Sequence, residues 1–238
     1  SLGAASDDTF KVVPFWTLAT LFGTDFPVST NVFSPIAQVL GNDVTGVGIN
    51  KAPNANYAYH DGSSGFVGAG WFNVSNVFGG NVDDLQLPPN TFITIRNQSS
   101  SEISLVVPGT VPTVPLSIGV VANATESNDN LVYNPYPAAI TLSLSSLADV
   151  VDTSTNVFAP LSQVVVYETY NSINPSPTAN YAYHDGSSGF VATGWFDVSN
   201  TFGGVQDSVT IPAGGAFIIR KGAGTPDGYW TANLPYTL

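Results

Sequence analysis

The sequence contains no cysteine and no methionine, and it has few charged residues of either sign. Without cysteine, the chain has no disulfide, no thiolate nucleophile and no cysteine-ligated zinc or iron–sulfur site. Lys and Arg number 5 and Asp and Glu number 17, which gives a formal net charge of −12 at pH 7. Such a chain lacks the basic surface that neutralises phosphates, so we expect no nucleic-acid partner.

Long apolar runs are missing as well. No stretch reaches the roughly 18 apolar residues that a membrane-spanning helix needs, so the sequence predicts no membrane span. Because a translated chain starts with Met, we expect that an N-terminal segment has been removed before Ser1. Together with the low content of charged residues, 9% of the chain, this predicts an extracellular or cell-surface location.

One long segment of the chain occurs twice. Residues 57–67, YAYHDGSSGFV, recur unchanged as residues 181–191, at an offset of 124. The match extends to the Gly pairs at 79–80 and 203–204, and an upstream block matches at an offset of 125. A repeat of this length indicates a duplicated structural unit rather than a local motif.

The segment between the matched blocks contains Pro108, Pro112 and Pro115 in a Val- and Thr-rich stretch. Proline fixes an extended backbone and interrupts helices, so this stretch is typical of an extended connection. We therefore predict a first β module over residues 1–108, a Pro-containing connection over 109–134 and a second β module over 135–238.

The chain alternates short apolar runs with glycine and proline, which is typical of strands joined by turns. Residues 17–21, 140–144 and 163–167 are predicted strands, whereas residues 145–151 form the one short amphipathic segment of helical character. With Gly 23 and Pro 17 in the chain, few windows are long enough for a helix. The predicted fold is all-β, with two tandem, duplicated antiparallel modules of sandwich or barrel type.

The two histidines, His60 and His184, each precede an Asp, a Gly and a Ser-Ser pair. This order superficially suggests a Ser/His/Asp hydrolase, but a triad needs groups that converge from separate elements beside an oxyanion hole. The chain also lacks a Gly-x-Ser-x-Gly elbow, and its three Glu residues show no pairing typical of glycosidases. We predict a structural turn with Asx-type hydrogen bonds, and we expect the protein not to be an enzyme.

Acidic residues leave calcium binding open as an alternative. Each His-Asp turn offers two ligands, fewer than the four of a closed zinc site, and lacks the alternating acids of a calcium loop. We therefore expect no cofactor, with calcium as the remaining possibility. The weak candidates for a metal site are Asp61, Asp83, Asp84 and Asp185.

Aromatic residues make up 12% of the chain, and several fall in the repeated block. Residues at positions i and i+2 of a strand share one face, so such a face would suit stacking on sugar rings. The competing interpretation is that the same face lies in the core, where aromatics supply much of the buried area. The possible glycan platform consists of Tyr57, Tyr59, Trp71, Tyr181, Tyr183 and Trp195.

Motifs near both ends of the chain follow an order found in a known family. Residues 14–22, PFWTLATLF, are similar to PYWTLGTLF, and residues 48–59 are similar to a GIN…ATYYY block. Residues 216–236 are similar to a GFIIRK…WTNTPTY ending. The chain thus resembles a family of secreted, β-rich bacterial proteins of unknown function, described mainly from Verrucomicrobia. The resemblance implies secretion and supplies no activity or site residues.

These observations favour a non-enzymatic structural subunit of an extracellular assembly, such as a filament, sheath or surface layer, with copies of itself as partners. The alternative is a secreted carbohydrate-binding or adhesive module whose partner is a surface polysaccharide. Terminal strands can pair with a neighbouring subunit by β-augmentation. The predicted assembly contacts are Phe10, Val12, Phe15, Trp16, Tyr229 and Trp230.

Overall fold

The computed structural model describes residues 15–23, 25–42, 46–88, 92–106, 111–167 and 175–236 of the 238-residue chain. Strands greatly outnumber helices in these residues; most of the strand pairs are antiparallel, and one short pair is parallel. The predicted all-β class is confirmed. The described strands and helices have the following bounds: β1 Trp16–Thr17, α1 Leu18–Phe22, β2 Val28–Ser29, β3 Ala37–Asn42, β4 Pro53–Asp61, β5 Ala69–Asn73, β6 Gln86–Leu87, β7 Ile93–Asn97, β8 Leu116–Val120, β9 Asn128–Tyr133, β10 Ile140–Thr141, the 3-10 helices Leu142–Leu144 and Leu147–Asp149, β11 Gln163–Val166, β12 Ala179–His184, β13 Gly194–Asp197, β14 Thr210–Ile211, β15 Ala216–Lys221 and β16 Gly228–Ala232.

Contacts between Cα atoms divide the chain into two compact units. The first draws on residues 1–39, 55–91 and 97–108, and the second on residues 40–54, 92–96 and 109–238. The predicted division therefore needs two corrections. Residues 109–134 are not a connection, because they supply the whole of β8 and β9 to the second unit.

The second correction concerns residues 40–54, which we predicted in the first module. Within the second unit, the Asp129 N–H donates to the Gly48 carbonyl at 2.9 Å, and the Asn50 N–H donates to Asp129 Oδ2 at 2.8 Å. These bonds join parts of the chain that are about eighty residues apart. The local sequence pattern does not predict such a pairing.

The second unit is built on a five-stranded antiparallel sheet with the order β13-β12-β11-β15-β9. Its central strand β11 is the continuous apolar run predicted from residues 163–167, a pattern typical of a buried strand. Val164 pairs with Tyr181 of β12 on one side and with Ile219 of β15 on the other. The core beneath the sheet contains Trp195 and Trp230.

The first unit contains the hairpin of β4 and β5, in which Tyr59 lies opposite Trp71 and Ala58 lies opposite Phe72. Within the first unit, β4 pairs with β2 in parallel and with β5 in antiparallel orientation. Opposite residues of an antiparallel pair share a face, so Trp71 and Phe72 lie on different sides of the hairpin. Trp71 packs on Phe26 at a ring-centroid distance of 4.7 Å.

Two predicted strands are largely helical. Residues 17–21 form α1 instead of a strand, because Thr17 and Thr20 make a reciprocal capping box that begins a helix at Leu18. Residues 140–144 continue from the two-residue strand β10 into a 3-10 turn. Among the residues that the structure describes, no helix is long and apolar enough to cross a membrane.

Two buried ion pairs fix β15 in the second unit. Asp129 is 1% exposed and binds Arg220 with two hydrogen bonds, of 2.7 Å to Nε and 3.0 Å to Nη2. The Asp129 carboxylate raises the pKa of the Arg220 guanidinium, chiefly through this hydrogen bond. The buried Lys221 ammonium donates to Asp152 and to the Val150 carbonyl, each at 2.8 Å.

We predict that Asp129→Ala lowers the free energy of unfolding by about 2–3 kcal/mol. The substitution leaves the partly buried Arg220 charge unpaired, and breaking fully buried pairs costs about 3–5 kcal/mol. Urea denaturation followed by tryptophan fluorescence measures the change. The control is Asp84→Ala, which alters the net charge equally at an exposed position and should change stability by less than about 0.5 kcal/mol. Equal effects of the two substitutions would contradict the prediction.

Candidate functional site

The side chains of the two histidines are fully buried, so neither imidazole ring is accessible from solvent. His60 Nδ1 accepts the Gly62 N–H at 2.7 Å, and His184 Nδ1 accepts the Gly186 N–H at 2.6 Å. A ring nitrogen that accepts a hydrogen bond carries no proton, so the proton of each neutral ring is assigned to Nε2. Nε2 has no hydrogen-bond partner within the described residues. The His60 ring lies nearly perpendicular to Phe72.

Asp61 and Asp185 stabilise the turn that follows each histidine. Asp61 Oδ1 accepts the Ser63 N–H at 2.8 Å and the Ser63 hydroxyl at 2.6 Å, and Asp185 binds Ser187 at the same two distances. These bonds lower the pKa of both carboxyls, with the serine hydroxyl as the largest cause. The predicted Asx turns are therefore observed. The serine hydroxyls donate to the aspartates and not to the histidines.

The aspartates named as weak metal candidates do not converge. Asp83 Oδ1 accepts the Trp71 N–H at 2.8 Å, as Asp207 accepts the Trp195 N–H at 2.9 Å, so these acids hold the hairpins. Asp61 and Asp185 lie in different units, and Asp84 is exposed. Within the described ranges, no group of three His, Cys, Asp or Glu residues is placed to hold a metal ion.

The prediction of an exposed aromatic platform in the repeated block is wrong for its two tryptophans. Trp71 and Trp195 are 0% and 1% exposed, and Tyr181 is also buried. Each Trp lies on the inward face of its hairpin, so it supplies core area and offers no ring to a sugar. The other predicted platform residues, Tyr57, Tyr59 and Tyr183, are half-buried.

Of the side chains predicted as terminal assembly contacts, three are exposed and one is buried. Phe15, Trp16 and Tyr229 are exposed. Trp230 is buried, and its indole N–H donates to the Ser145 carbonyl at 2.7 Å. Because neighbours on β16 face opposite sides, Tyr229 points outwards where Trp230 points inwards, and the prediction for Trp230 is wrong. Phe10 and Val12 lie outside the described residues.

Two sets of three exposed phenylalanines occur among the described residues, one set in each unit, and sequence analysis did not single them out. Their side chains are between 53% and 74% exposed, although phenylalanine is usually buried. We name them the first triad, Phe33, Phe66 and Phe78, and the second triad, Phe158, Phe190 and Phe202.

Each phenylalanine of the first triad is exposed because its neighbour in sequence takes the interior position. Val32, Val67 and Val77 are each at most 8% exposed, and they pack with Ala58 and Phe72 in one small cluster. These residues lie in turns and bends, and in each pair the valine packs inside while the adjacent phenylalanine is exposed. The second unit repeats this arrangement around Val157, Val191, Ala182 and Phe196.

Short-range hydrogen bonds hold the backbone of the first triad. The Phe33 N–H donates to Asn31 Oδ1 at 2.9 Å, and the Phe66 N–H donates to Ser64 Oγ at 3.2 Å. Gly65, just before Phe66, has a φ of +75°, which favours glycine. The Gly79 N–H closes the third turn on the Asn76 carbonyl at 3.0 Å. The turns therefore order the rings before any partner arrives.

The same bonds recur in the second triad. The Phe158 N–H donates to Asn156 Oδ1 at 3.0 Å, and the Phe190 N–H donates to Ser188 Oγ at 3.3 Å. The Gly203 N–H donates to the Asn200 carbonyl at 2.8 Å. Both surfaces are therefore held by equivalent local turns.

The rings of each triad touch one another at steep angles. In the first triad, Phe66 lies 5.4 Å from Phe33 and 6.0 Å from Phe78, at interplanar angles of 70° and 72°. The second triad has three such contacts, with centroids 5.5–6.3 Å apart and angles between 59° and 80°. Edge-to-face pairs of this kind are worth about 0.5–1.5 kcal/mol each. The surface is ridged, not a flat row of coplanar rings.

Comparison of the two copies of the repeat shows which triad residues they share. Residues 57–80 and 181–204 differ at only four positions, one of which replaces the buried Val77 by Thr201. The adjacent Phe78 is kept as Phe202, and both are more than 70% exposed. Both turns therefore keep an exposed phenylalanine next to a position whose side chain differs between the copies.

Comparisons of the chain with family models, with curated proteins and with solved structures return no match. The resemblance to the secreted bacterial family therefore stays a prediction. The triads, defined by geometry alone, are the candidate functional site.

We predict that Asp61→Ala and Asp185→Ala destabilise the protein more at neutral pH than in acid. Each folded-state carboxyl has a pKa below the ordinary value of 3.8. The ionised carboxylates therefore stabilise the fold above that value, and this contribution is lost as the pH falls through the folded-state pKa. Urea midpoints at about pH 6 and about pH 2.5 measure the difference. A midpoint loss that is equal at both pH values would contradict the prediction, and Asp84→Ala is the control.

Proposed function

We propose that this protein is a non-enzymatic structural subunit of an extracellular assembly, in which copies of the chain bind one another through surfaces of their β modules. The observation that supports the proposal is the presence of the same exposed aromatic surface once in each unit. Contiguous apolar patches on a soluble protein are typical of interaction sites.

Two surfaces on one chain change what association can produce. A subunit with one self-associating surface stops at a dimer, whereas a subunit with two can continue to add copies. The product is an extended assembly such as a filament, sheath or surface layer. The duplication of the sequence therefore has a direct consequence for assembly, which a single unit would lack.

The charge of the chain opposes association and gives it a recognisable salt dependence. Copies with a formal net charge of −12 repel one another, and dissolved salt screens this repulsion over about 8–10 Å at physiological ionic strength. Contacts between uncharged rings are not weakened by the same salt. Assembly should consequently increase as the salt concentration rises.

A carbohydrate-binding or adhesive module is the alternative function. Its predicted tryptophans are buried, and the rings of the triads are too steeply inclined to lie flat along a polysaccharide. Phenylalanine also lacks the hydroxyl or N–H group with which tyrosine or tryptophan binds sugar hydroxyls. These features favour a protein surface as the partner.

We predict that the wild-type chain forms assemblies larger than dimers at high protein and salt concentration, and that replacing the six triad phenylalanines by serine abolishes them. Sedimentation velocity gives the size distribution, and negative-stain electron microscopy gives the morphology. The control is Leu144→Ser, which removes a side chain that is 76% exposed and lies in neither triad.

Two outcomes would count against the proposal. A wild-type chain that stays monomeric at about millimolar concentration and high salt would overturn self-assembly altogether, since weak contacts of standard type associate in that range. Glycan-dependent binding of such a monomer would replace self-assembly by the carbohydrate-binding alternative.

Tyr229→Ser tests the predicted terminal contact in the same assay, and failure of this variant to assemble would move the interface to β16.

A further inference from the structure

We propose that the buried rings of His60 and His184 protect the aspartates that follow them, Asp61 and Asp185, from isomerisation to isoaspartate. Each ring holds the backbone N–H group whose nitrogen would otherwise attack the neighbouring aspartate side chain. The inference goes beyond the proposed assembly and does not depend on it. It gives the two histidines a role and identifies the two aspartates as latent sites of covalent modification.

The reaction belongs to an aspartate that is followed by glycine. The glycine nitrogen bonds to the aspartate Cγ, and the N–H proton leaves together with the carboxyl OH as water, which closes a succinimide ring. Water then opens the ring, and opening at the main-chain carbonyl of the aspartate leaves the chain running through Cγ. The product is isoaspartate, whose main chain is longer by one carbon atom. Glycine favours this attack because it has no side chain to hinder it.

The fold requires this reactive pair of residues in both turns. Gly62 has a φ of +86° and Gly186 has a φ of +85°, in the left-handed region that favours glycine. A side chain at Gly62 would also begin 3.0 Å from the backbone nitrogen of Ala69 on β5. The preceding aspartate is needed as well, because its carboxylate holds the turn through Ser63 or Ser187. Neither residue of the pair can be exchanged without cost to the turn.

The histidine contact occupies the attacking group. The Gly62 N–H donates to His60 Nδ1 at 2.7 Å, and the Gly186 N–H donates to His184 Nδ1 at 2.6 Å. The amide must break this hydrogen bond before its nitrogen can turn towards the aspartate.

Burial makes each ring an acceptor that holds the proton in place and not a base that removes it. Both rings are 0% exposed, and the Nε2 atom of each has no hydrogen-bond partner within the described residues. Taking a second proton would create a charged ring in the interior, which is costly when the charge is not solvated. The N–H proton therefore stays on the glycine.

The aspartate side of the reaction is restrained too. Asp61 Oδ1 accepts the N–H and the hydroxyl of Ser63 at 2.8 Å and 2.6 Å, and Asp185 is bound by Ser187 in the same way. These bonds lower the pKa of both carboxyls. The neutral acid, which is the form that loses water, is consequently scarce at neutral pH.

Isomerisation would alter the exposed surface as well as the turn. An added main-chain carbon before Gly62 would displace a glycine that already lies close to Ala69. Phe66 follows in the same turn, so the ring of the first triad would move with it. Protection of the aspartate thus preserves the geometry of the triad.

The test compares the two copies of the turn within one chain. His60→Phe keeps a ring but removes the acceptor, while the turn at His184 stays unchanged. After prolonged incubation at neutral pH, isoaspartyl methyltransferase labelling and mass spectrometry quantify isoaspartate at each site, because the peptides differ at residues 68 and 192. We expect isoaspartate to form about tenfold faster at Asp61 than at Asp185, the effect of losing one hydrogen bond.

His60→Asn separates this positioning role from a general structural one. The asparagine Oδ1 stands as many bonds from the backbone as the histidine Nδ1 and accepts an N–H group. We expect the isoaspartate rate at Asp61 in this variant to return close to the wild-type rate. The mirror variant His184→Phe should move the fast reaction to Asp185.

Two results with His60→Phe would overturn the inference. Equal rates at Asp61 and Asp185 would show that the ring protects nothing, and a slower rate at Asp61 would make the ring a base that promotes the reaction. Circular dichroism checks the fold. Should the variant fail to fold, Ser63→Ala at an exposed position removes one of the bonds that restrain Asp61 and provides the same comparison between the copies.

The wild-type chain supplies a measurement without any substitution. In urea the two aspartates should react equally fast, because both lie in the sequence His-Asp-Gly-Ser-Ser-Gly, and both should react faster than in the folded protein. Equal rates in the folded and the unfolded chain would overturn the protection. None of these results depends on whether copies of the chain assemble, so the proposed function stands or falls separately.

Discussion

The alternation of side chains along an extended backbone is the constraint on which most of this structure depends. A residue that packs in the core forces its neighbour in sequence towards the opposite side. In β16, Trp230 lies in the core and Tyr229 lies on the surface. In β5, Trp71 and Phe72 lie on opposite faces of the hairpin. The surface aromatics are thus a consequence of how the core is filled, and their grouping into triads follows from how the turns converge.

The scarcity of charge shapes the interior as well as the surface. With only 5 basic residues in the chain, two consecutive ones, Arg220 and Lys221, are used in buried or partly buried pairs within the second unit. Breaking such pairs is costly, so they fix the register of β15. The remaining acids give the chain its formal net charge of −12, which opposes the proposed association at low salt. The shortage of basic residues and the excess of acidic ones are therefore the reason for two expectations. The few basic side chains form ion pairs in the interior, and the proposed association should increase with salt concentration.

Duplication links the fold to the proposed assembly. The hydrogen bonds around His60 and His184, around Asp61 and Asp185, and around the triad turns agree between the two units within a few tenths of an ångström. Such agreement means that the turns carrying the two triads have the same local geometry. A weak contact that is available twice on each chain supports growth of an assembly, whereas the same contact available once supports only a dimer.

The sequence by itself determined the all-β class, the repeat, the Asx turns at Asp61 and Asp185 and the strand at residues 163–166, because each depends on local composition or periodicity. It did not determine α1, where a capping box outweighed the strand pattern, or the place of residues 40–54 in the second unit, which depends on distant hydrogen bonds. Alternation predicts that Trp71 and Phe72 of β5, or Tyr229 and Trp230 of β16, face opposite sides. Only the tertiary structure decided which side is inside, because burial depends on what packs against each face.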